Sequence, residues 1–168
     1  MKFIQAGPTF ALAAASLALA GPAGARTVDS WEVDSAGKSC TMVSTFADNV
    51  TIGLIWSPQT GELAFMTTVP RPHEWKAQKT VPLVLSFDGK VPLTQWEDQH
   101  AAVVASGDSD AVVGNWGREH AADLARTING SSHVSLRVDD KGIGTYDLTG
   151  SPAAYRALIH CGSQIASK

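Results

Sequence analysis

The sequence has no stretch beyond residue 25 that is apolar enough to cross a membrane as a helix, which takes about 20 consecutive apolar residues. It also has no run of basic residues, and its formal net charge is −3. Without clustered lysine and arginine, the chain has no electrostatic means of holding a phosphate backbone. We therefore predict no transmembrane segment and no nucleic-acid partner.

Motifs that would identify an enzyme are missing as well. There is no G-x-S-x-G elbow, no H-E-x-x-H pair and no glycine-rich phosphate loop. Ser35-Ala36-Gly37-Lys38 matches S-x-x-K, but Gly37 disfavours the helix that this chemistry needs, and the S-D-N and K-T-G elements are lacking. Asp108-Ser109-Asp110 begins like a calcium loop that no glutamate closes, so we interpret it as a polar turn.

The five histidines of the chain share no metal-ligand spacing. We accordingly predict neither a metal site nor a cofactor. Because no complete set of catalytic residues is recognisable, the sequence favours a protein without enzymatic activity over an enzyme.

Residues 1–25 carry the pattern of a secretory signal peptide. Lys2 provides a short basic start, FALAAASLALA from Phe10 to Ala20 is apolar, and Ala23-Gly24-Ala25 is an A-x-A cleavage site. We predict an exported protein, periplasmic or secreted, in which residues 26–168 form one domain.

The sequence contains only two cysteines, Cys40 and Cys161. In an oxidising compartment, two cysteines of a small exported domain most often pair. The bridge would close a loop of roughly 120 residues and stabilise the fold by about 4–5 kcal/mol. Two buried thiols or a thiolate metal site are the competing interpretations, and the spacing fits neither a C-x-x-C redox motif nor a zinc finger.

Short segments of alternating apolar and polar residues, separated by turn residues, predict β-strands. These segments are residues 40–46, 50–56, 62–69, 80–87, 134–138 and 143–148. The first three lie close enough together to form an antiparallel meander, and Asp88-Gly89 is a strong signal for a type I′ hairpin turn.

Two segments have helical periodicity instead. Apolar residues of Trp116–Ile128 share one face before an Asn129-Gly130 stop, and a last helix starts with Ser151 as N-cap and Pro152 at its first position. The predicted fold is α+β, mainly an antiparallel sheet (a sandwich or a curved sheet) with two helices, the last at the C-terminus.

The loop from Pro70 to Lys79 is the most conspicuous irregular stretch, because its two prolines exclude a central strand. Trp75 in this loop and Trp96 further along sit among polar residues, where an aromatic side chain can anchor a partner. We predict that His73, Trp75 and Trp96 contact the partner. The alternative is that these tryptophans pack locally onto a sheet edge.

A set of short motifs connects the chain with a known family. Trp31 is followed by Cys40-Thr41-Met42, and DLTGSPAAYRAL from Asp147 to Leu158 runs into the second cysteine. In these features the chain resembles the small exported β-rich proteobacterial proteins of the invasion-associated locus B family. The resemblance implies a periplasmic or secreted protein with an interaction role, and it implies no catalytic residues.

The first functional hypothesis is therefore a non-catalytic module that binds another protein or a component of the cell envelope. The second is a small envelope hydrolase in which His100 or His133 meets an acid and a serine in one concave pocket. The third is an inhibitor of a hydrolase that presents a rigid loop, for which Pro70 to Trp75 is the candidate.

Overall fold

The structure, a computed structural model, describes residues 26–73, 75, 79–89 and 100–166, so the predicted signal peptide lies outside it. Within these residues, ten strands and two helices follow one another. They are β1 (Arg26–Val28), β2 (Trp31–Ala36), β3 (Ser39–Thr45), β4 (Thr51–Ser57), β5 (Glu62–Pro70), β6 (Thr80–Phe87), β7 (His100–Ser106), β8 (Ser109–Asn115), α1 (Gly117–Gly130), β9 (His133–Val138), β10 (Lys141–Asp147) and α2 (Ser151–Ala166).

The strands form one open antiparallel sheet in the order β1-β2-β3-β4-β5-β8-β7-β6-β9-β10. Strand β6 changes neighbours along its length, pairing with β7 at Thr80–Pro82 and with β9 at Leu83–Phe87. The predicted α+β class, the meander of β3, β4 and β5, and the closing C-terminal helix are confirmed.

Burial alternates along most strands, because successive side chains point to opposite faces of a sheet. In β5, for example, Leu63, Phe65, Thr67 and Val69 are buried while the residues between them are partly exposed. Both helices lie against this apolar face, α1 against β5 and α2 against β2, β3 and β4. One core therefore fills the space between the sheet and the helix pair.

The start of α2 differs from the prediction in one respect. The carbonyl of Gly150 accepts the first helical bonds, from the amides of Ala153 and Ala154 at 3.1 Å each. The buried Ser151 hydroxyl donates instead to the carbonyl of Ile128, near the end of α1. Ser151 was expected to cap its own helix, but it joins the two helices because Gly150, with a φ of +85°, already provides the turn.

The predicted disulfide is present between Cys40 in β3 and Cys161 in α2, whose Cα atoms lie 6.1 Å apart. A second link joins the same regions, because the Trp31 indole donates to the carbonyl of Thr149 at 3.0 Å. The early strands and the last helix are therefore held together both covalently and by a hydrogen bond.

The curvature of the sheet brings its far end, β10, back to the turn between β3 and β4. The Tyr146 hydroxyl donates to Asp48 at 2.9 Å, and the Phe46 and Tyr146 rings lie 4.8 Å apart. Burial and the bond to Asp48 raise the pKa of Tyr146 well above its usual value. This contact leaves an opening between β10 and the ends of β4 and β5, where the candidate site lies.

The type I′ turn signal at Asp88-Gly89 agrees with the backbone, since both residues have positive φ, 47° and 75°. The strand that would follow this turn lies outside the described residues. The end of β6 before this turn pairs with β9. The Asp88 carboxylate accepts hydrogen bonds from the amides of Ser132 and His133 at the start of β9.

Candidate functional site

The candidate site is built around Asp110, a carboxylate inside the sheet. Asp110 lies opposite Val69 in the β5–β8 ladder, on the buried face, and its side chain is only 3% exposed. The prediction that Asp110 lies in a polar turn is wrong. Gly107 and Asp108 form the turn, and Asp110 belongs to β8. A buried carboxylate requires compensating partners.

Arg71, at the start of the loop after β5, supplies two of the contacts. Its Nη2 donates to one oxygen of Asp110 at 2.8 Å and its Nε to the other at 3.3 Å. The Arg71 amide also donates to the carbonyl of Asp108 at 3.0 Å, which fixes the backbone from which the guanidinium extends. The result is a two-pronged pair between a strand and the following loop.

The pair determines the charge of the carboxylate. The hydrogen bond from Arg71 lowers the pKa of Asp110 more than burial raises it, and the charges of Arg71 and His73 lower it further. The same contact raises the pKa of Arg71. Asp110 is therefore ionised at neutral pH although it lies in the interior.

His73 is the third member of this network. Its Nε2 lies 3.0 Å from the same Asp110 oxygen that accepts from Arg71 Nε, in an alignment poor for a hydrogen bond, and its side chain is 2% exposed. Among the residues that the structure describes, the buried Nδ1 has no hydrogen-bond partner. The ring stacks on Trp75, with centroids 4.2 Å apart and planes inclined by 26°. His73 therefore lies inside the protein, between the carboxylate and the tryptophan.

Trp75 is partly buried, packs against the core and borders an opening. This opening, which we call the Trp75 pocket, has a volume of about 140 Å³. Its walls include Val50, Val69, Pro72, Trp75, Lys141 and Ile143. The pocket is thus formed by the loop after β5, the chain entering β4 and the beginning of β10.

A second cavity, of about 400 Å³, lies on the outer face of β6, β9 and β10. Its lining is richer in polar side chains, including Ser86, Ser135, Arg137 and Thr145. The hydroxyls of Ser135 and Thr145 bond to each other at 2.7 Å. None of the described residues that line this cavity is aromatic.

Of the three predicted contact residues, the structure brings two together. His73 and Trp75 stack, and Arg71 and Asp110, which sequence reasoning missed, hold them. Trp96 lies outside the described residues. The signal for Asp110 was available: it shares its parity with Val112 and Gly114, which are buried in the same strand.

In the described part of the chain, His133 has Asp88 as an acidic neighbour. Its Nδ1 lies 3.7 Å from Asp88, but both side chains are about half exposed, at 57% and 43%. The carboxylate of Asp88 is occupied by backbone amides of the chain entering β9. The side chain of His100 lies outside the described residues.

Among the residues that the structure describes, no three His, Cys, Asp or Glu side chains come close enough to hold a metal ion. In the same part of the chain, neither helix is long and apolar enough to span a membrane.

No protein-family model, curated protein or solved structure matches this chain. The resemblance to the invasion-associated locus B family therefore rests on the sequence motifs alone.

Proposed function

We propose that this chain is an exported, non-catalytic module that binds another protein or a component of the cell envelope through the Trp75 pocket. One observation supports this most: a partly exposed tryptophan is held in place from inside the protein, next to an open apolar pocket. Tryptophan is among the residues that contribute most to binding at protein interfaces.

The network behind Trp75 gives it the properties of a binding anchor. A side chain that is already ordered loses little conformational entropy when a partner covers it. Here the order comes from His73, which stacks on the indole and contacts the buried Asp110. The loop is fixed a second time by the bond between Arg71 and the turn at Asp108.

The proposal of export draws on two independent features. The A-x-A pattern ending at Ala25 is typical of a signal-peptidase site. The disulfide between Cys40 and Cys161 is of a kind that persists in the periplasm or outside the cell and is rare in the cytosol.

The site can be tested by photo-crosslinking in the native envelope. A benzophenone amino acid placed at Trp75 should form a discrete adduct with a partner, because that position borders the pocket. The matched control is the same amino acid at Thr145, in the polar cavity of the outer face. An adduct from Thr145 and none from Trp75 would assign the interface to the other cavity and refute our placement.

Competition separates binding from stability. Unlabelled wild-type protein should suppress the adduct, and Trp75→Ala protein should not. Because Trp75 is only partly buried, we expect this substitution to cost less than the 3–5 kcal/mol typical of a fully buried aromatic residue. A loss of about 3 kcal/mol or more would show that Trp75 serves packing.

A further inference from the structure

The Trp75 pocket has a definite capacity. Its volume of about 140 Å³ is close to that of an engineered apolar cavity of about 150 Å³ that binds benzene. Pockets for cofactors and drug-sized ligands are larger, about 300–1,000 Å³. The Trp75 pocket can therefore accept one ring or one branched side chain, as part of a larger partner.

A β-bulge forms one wall of this pocket. Gly142 faces Arg137 and Gly144 faces Leu136, so Ile143 is an extra residue in β10 with no counterpart in β9. A bulge changes the direction of the side chain that it carries. Here the extra residue, Ile143, lines the pocket together with Pro72 and Trp75.

The pocket lining contains one exposed cation, Lys141, and one buried polar side chain, His73. Lys141 lines the opening, and among the described residues no acidic side chain forms an ion pair with it, including its neighbours Asp139 and Asp140. Arg71, at the start of the loop that contains Trp75, is already paired with Asp110. An occupant with an apolar body and one negative charge beside it would match this lining.

Strand β10 provides a further element of recognition. It is the last strand in the sheet order, and no described strand pairs with its outer side. An unpaired strand edge can hydrogen-bond to an extended polypeptide. At the pocket end of this edge, Gly142 has no side chain that would obstruct such a segment.

We infer that the Trp75 pocket binds the C-terminal residue of a partner polypeptide, with the apolar side chain in the pocket and the terminal carboxylate on Lys141. Only a chain-terminal residue carries an apolar side chain and a carboxylate on the same Cα. This inference rests on the proposed function, since it names the part of the partner that the site recognises.

The probe is a fluorescein-labelled peptide, Gly-Ser-Gly-Thr-Val-Phe, with a free carboxylate, compared with the same peptide amidated at its C-terminus. Fluorescence anisotropy with the disulfide-bonded protein should show about two- to fivefold tighter binding of the free acid, which is the upper part of the range for one exposed ion pair. In ¹⁵N spectra, the amides of Gly142 and Ile143 and the indole of Trp75 should shift.

Lys141→Met keeps most of the aliphatic side chain and removes the charge. It should abolish the preference for the free acid and leave the amide-peptide affinity unchanged. The matched control is Lys38→Met, an exposed lysine in the turn between β2 and β3, which should bind as the wild type does. Ile143→Trp should fill the pocket and weaken both peptides, and the Lys141→Met result stands even if that variant does not fold.

Four results would overturn the inference. If the free-acid and amidated peptides bind with equal affinity, the pocket makes an uncharged apolar contact. If phenylacetate binds as tightly as the free-acid peptide, the pocket is a site for a small free acid. Shifts confined to residues outside the pocket would place the peptide elsewhere. If neither peptide binds while Trp75 still crosslinks to a partner, this inference fails and the proposed function stands.

Discussion

The network around Asp110 makes a quantitative prediction for Asp110→Asn, which keeps the shape of the side chain and removes its charge. A hydrogen bond to a charged group contributes about 1.5–3 kcal/mol, and the carboxylate accepts two from Arg71. Because Arg71 is 44% exposed, water restores part of that free energy to the guanidinium. We expect a net loss of about 2 kcal/mol in the free energy of unfolding at pH 7.

The loss should also depend on pH. The pKa of Asp110 is lowered in the folded protein, so its stabilisation is complete above the pKa of an unfolded aspartate, near 4, and disappears as the pH falls through the lower folded value. The difference in unfolding free energy between wild type and Asp110→Asn should therefore decrease below about pH 4.

Urea unfolding with the disulfide intact, followed by tryptophan fluorescence at pH 7 and pH 3, measures both effects. The matched control is Asp123→Asn, which removes the exposed partner of Arg126 on α1 and should cost less than about 0.5 kcal/mol. Two results would contradict this explanation of how Trp75 is held: an equal loss of unfolding free energy for the two substitutions, or a difference between wild type and Asp110→Asn that does not change with pH. Either would show that Asp110 is not a charged, buried partner of Arg71.

Three further predictions concern the frame around the site. Gly162→Ala in α2 should lower the free energy of unfolding by about 1–2 kcal/mol, because the new Cβ would lie 2.7 Å from the Trp56 ring. Gly130→Ala has open space around the new Cβ, so in the same urea assay it should leave the free energy of unfolding unchanged or raise it slightly. Replacing both cysteines by serine should lower the unfolding free energy by up to about 4–5 kcal/mol. Tyr146→Phe should cost about 1 kcal/mol, and an absorbance titration should lose a phenol that ionises above the usual range.

Much of the fold follows from local patterns in the sequence. In β6, the apolar residues Val81, Leu83, Leu85 and Phe87 recur at every second position, and this period assigns both the strand and its buried face. The disulfide could be predicted because only one pairing of Cys40 and Cys161 exists within the chain. Turn residues such as Asp88 and Gly89 identify the breaks between strands.

The site was only partly predictable because its geometry depends on contacts between distant segments. The loop containing His73 and Trp75 was identified from its prolines, but its attachment to Asp110 depends on the pairing of β5 with β8, which skips two intervening strands. The bulge at Ile143 is equally hidden, since it arises from a register change against β9. Neither feature leaves a signal in a short window of sequence.

The disulfide also sets an order of events. Synthesis proceeds from the N-terminus, so Cys40 emerges 121 residues before Cys161 and meets no other cysteine of this chain in between. The hairpins from β2 to β5 depend on local contacts and can form during that interval. Oxidation then has one intramolecular product, whose formation must await the last helix. The rate at which free thiols disappear during refolding therefore reports on the docking of α2.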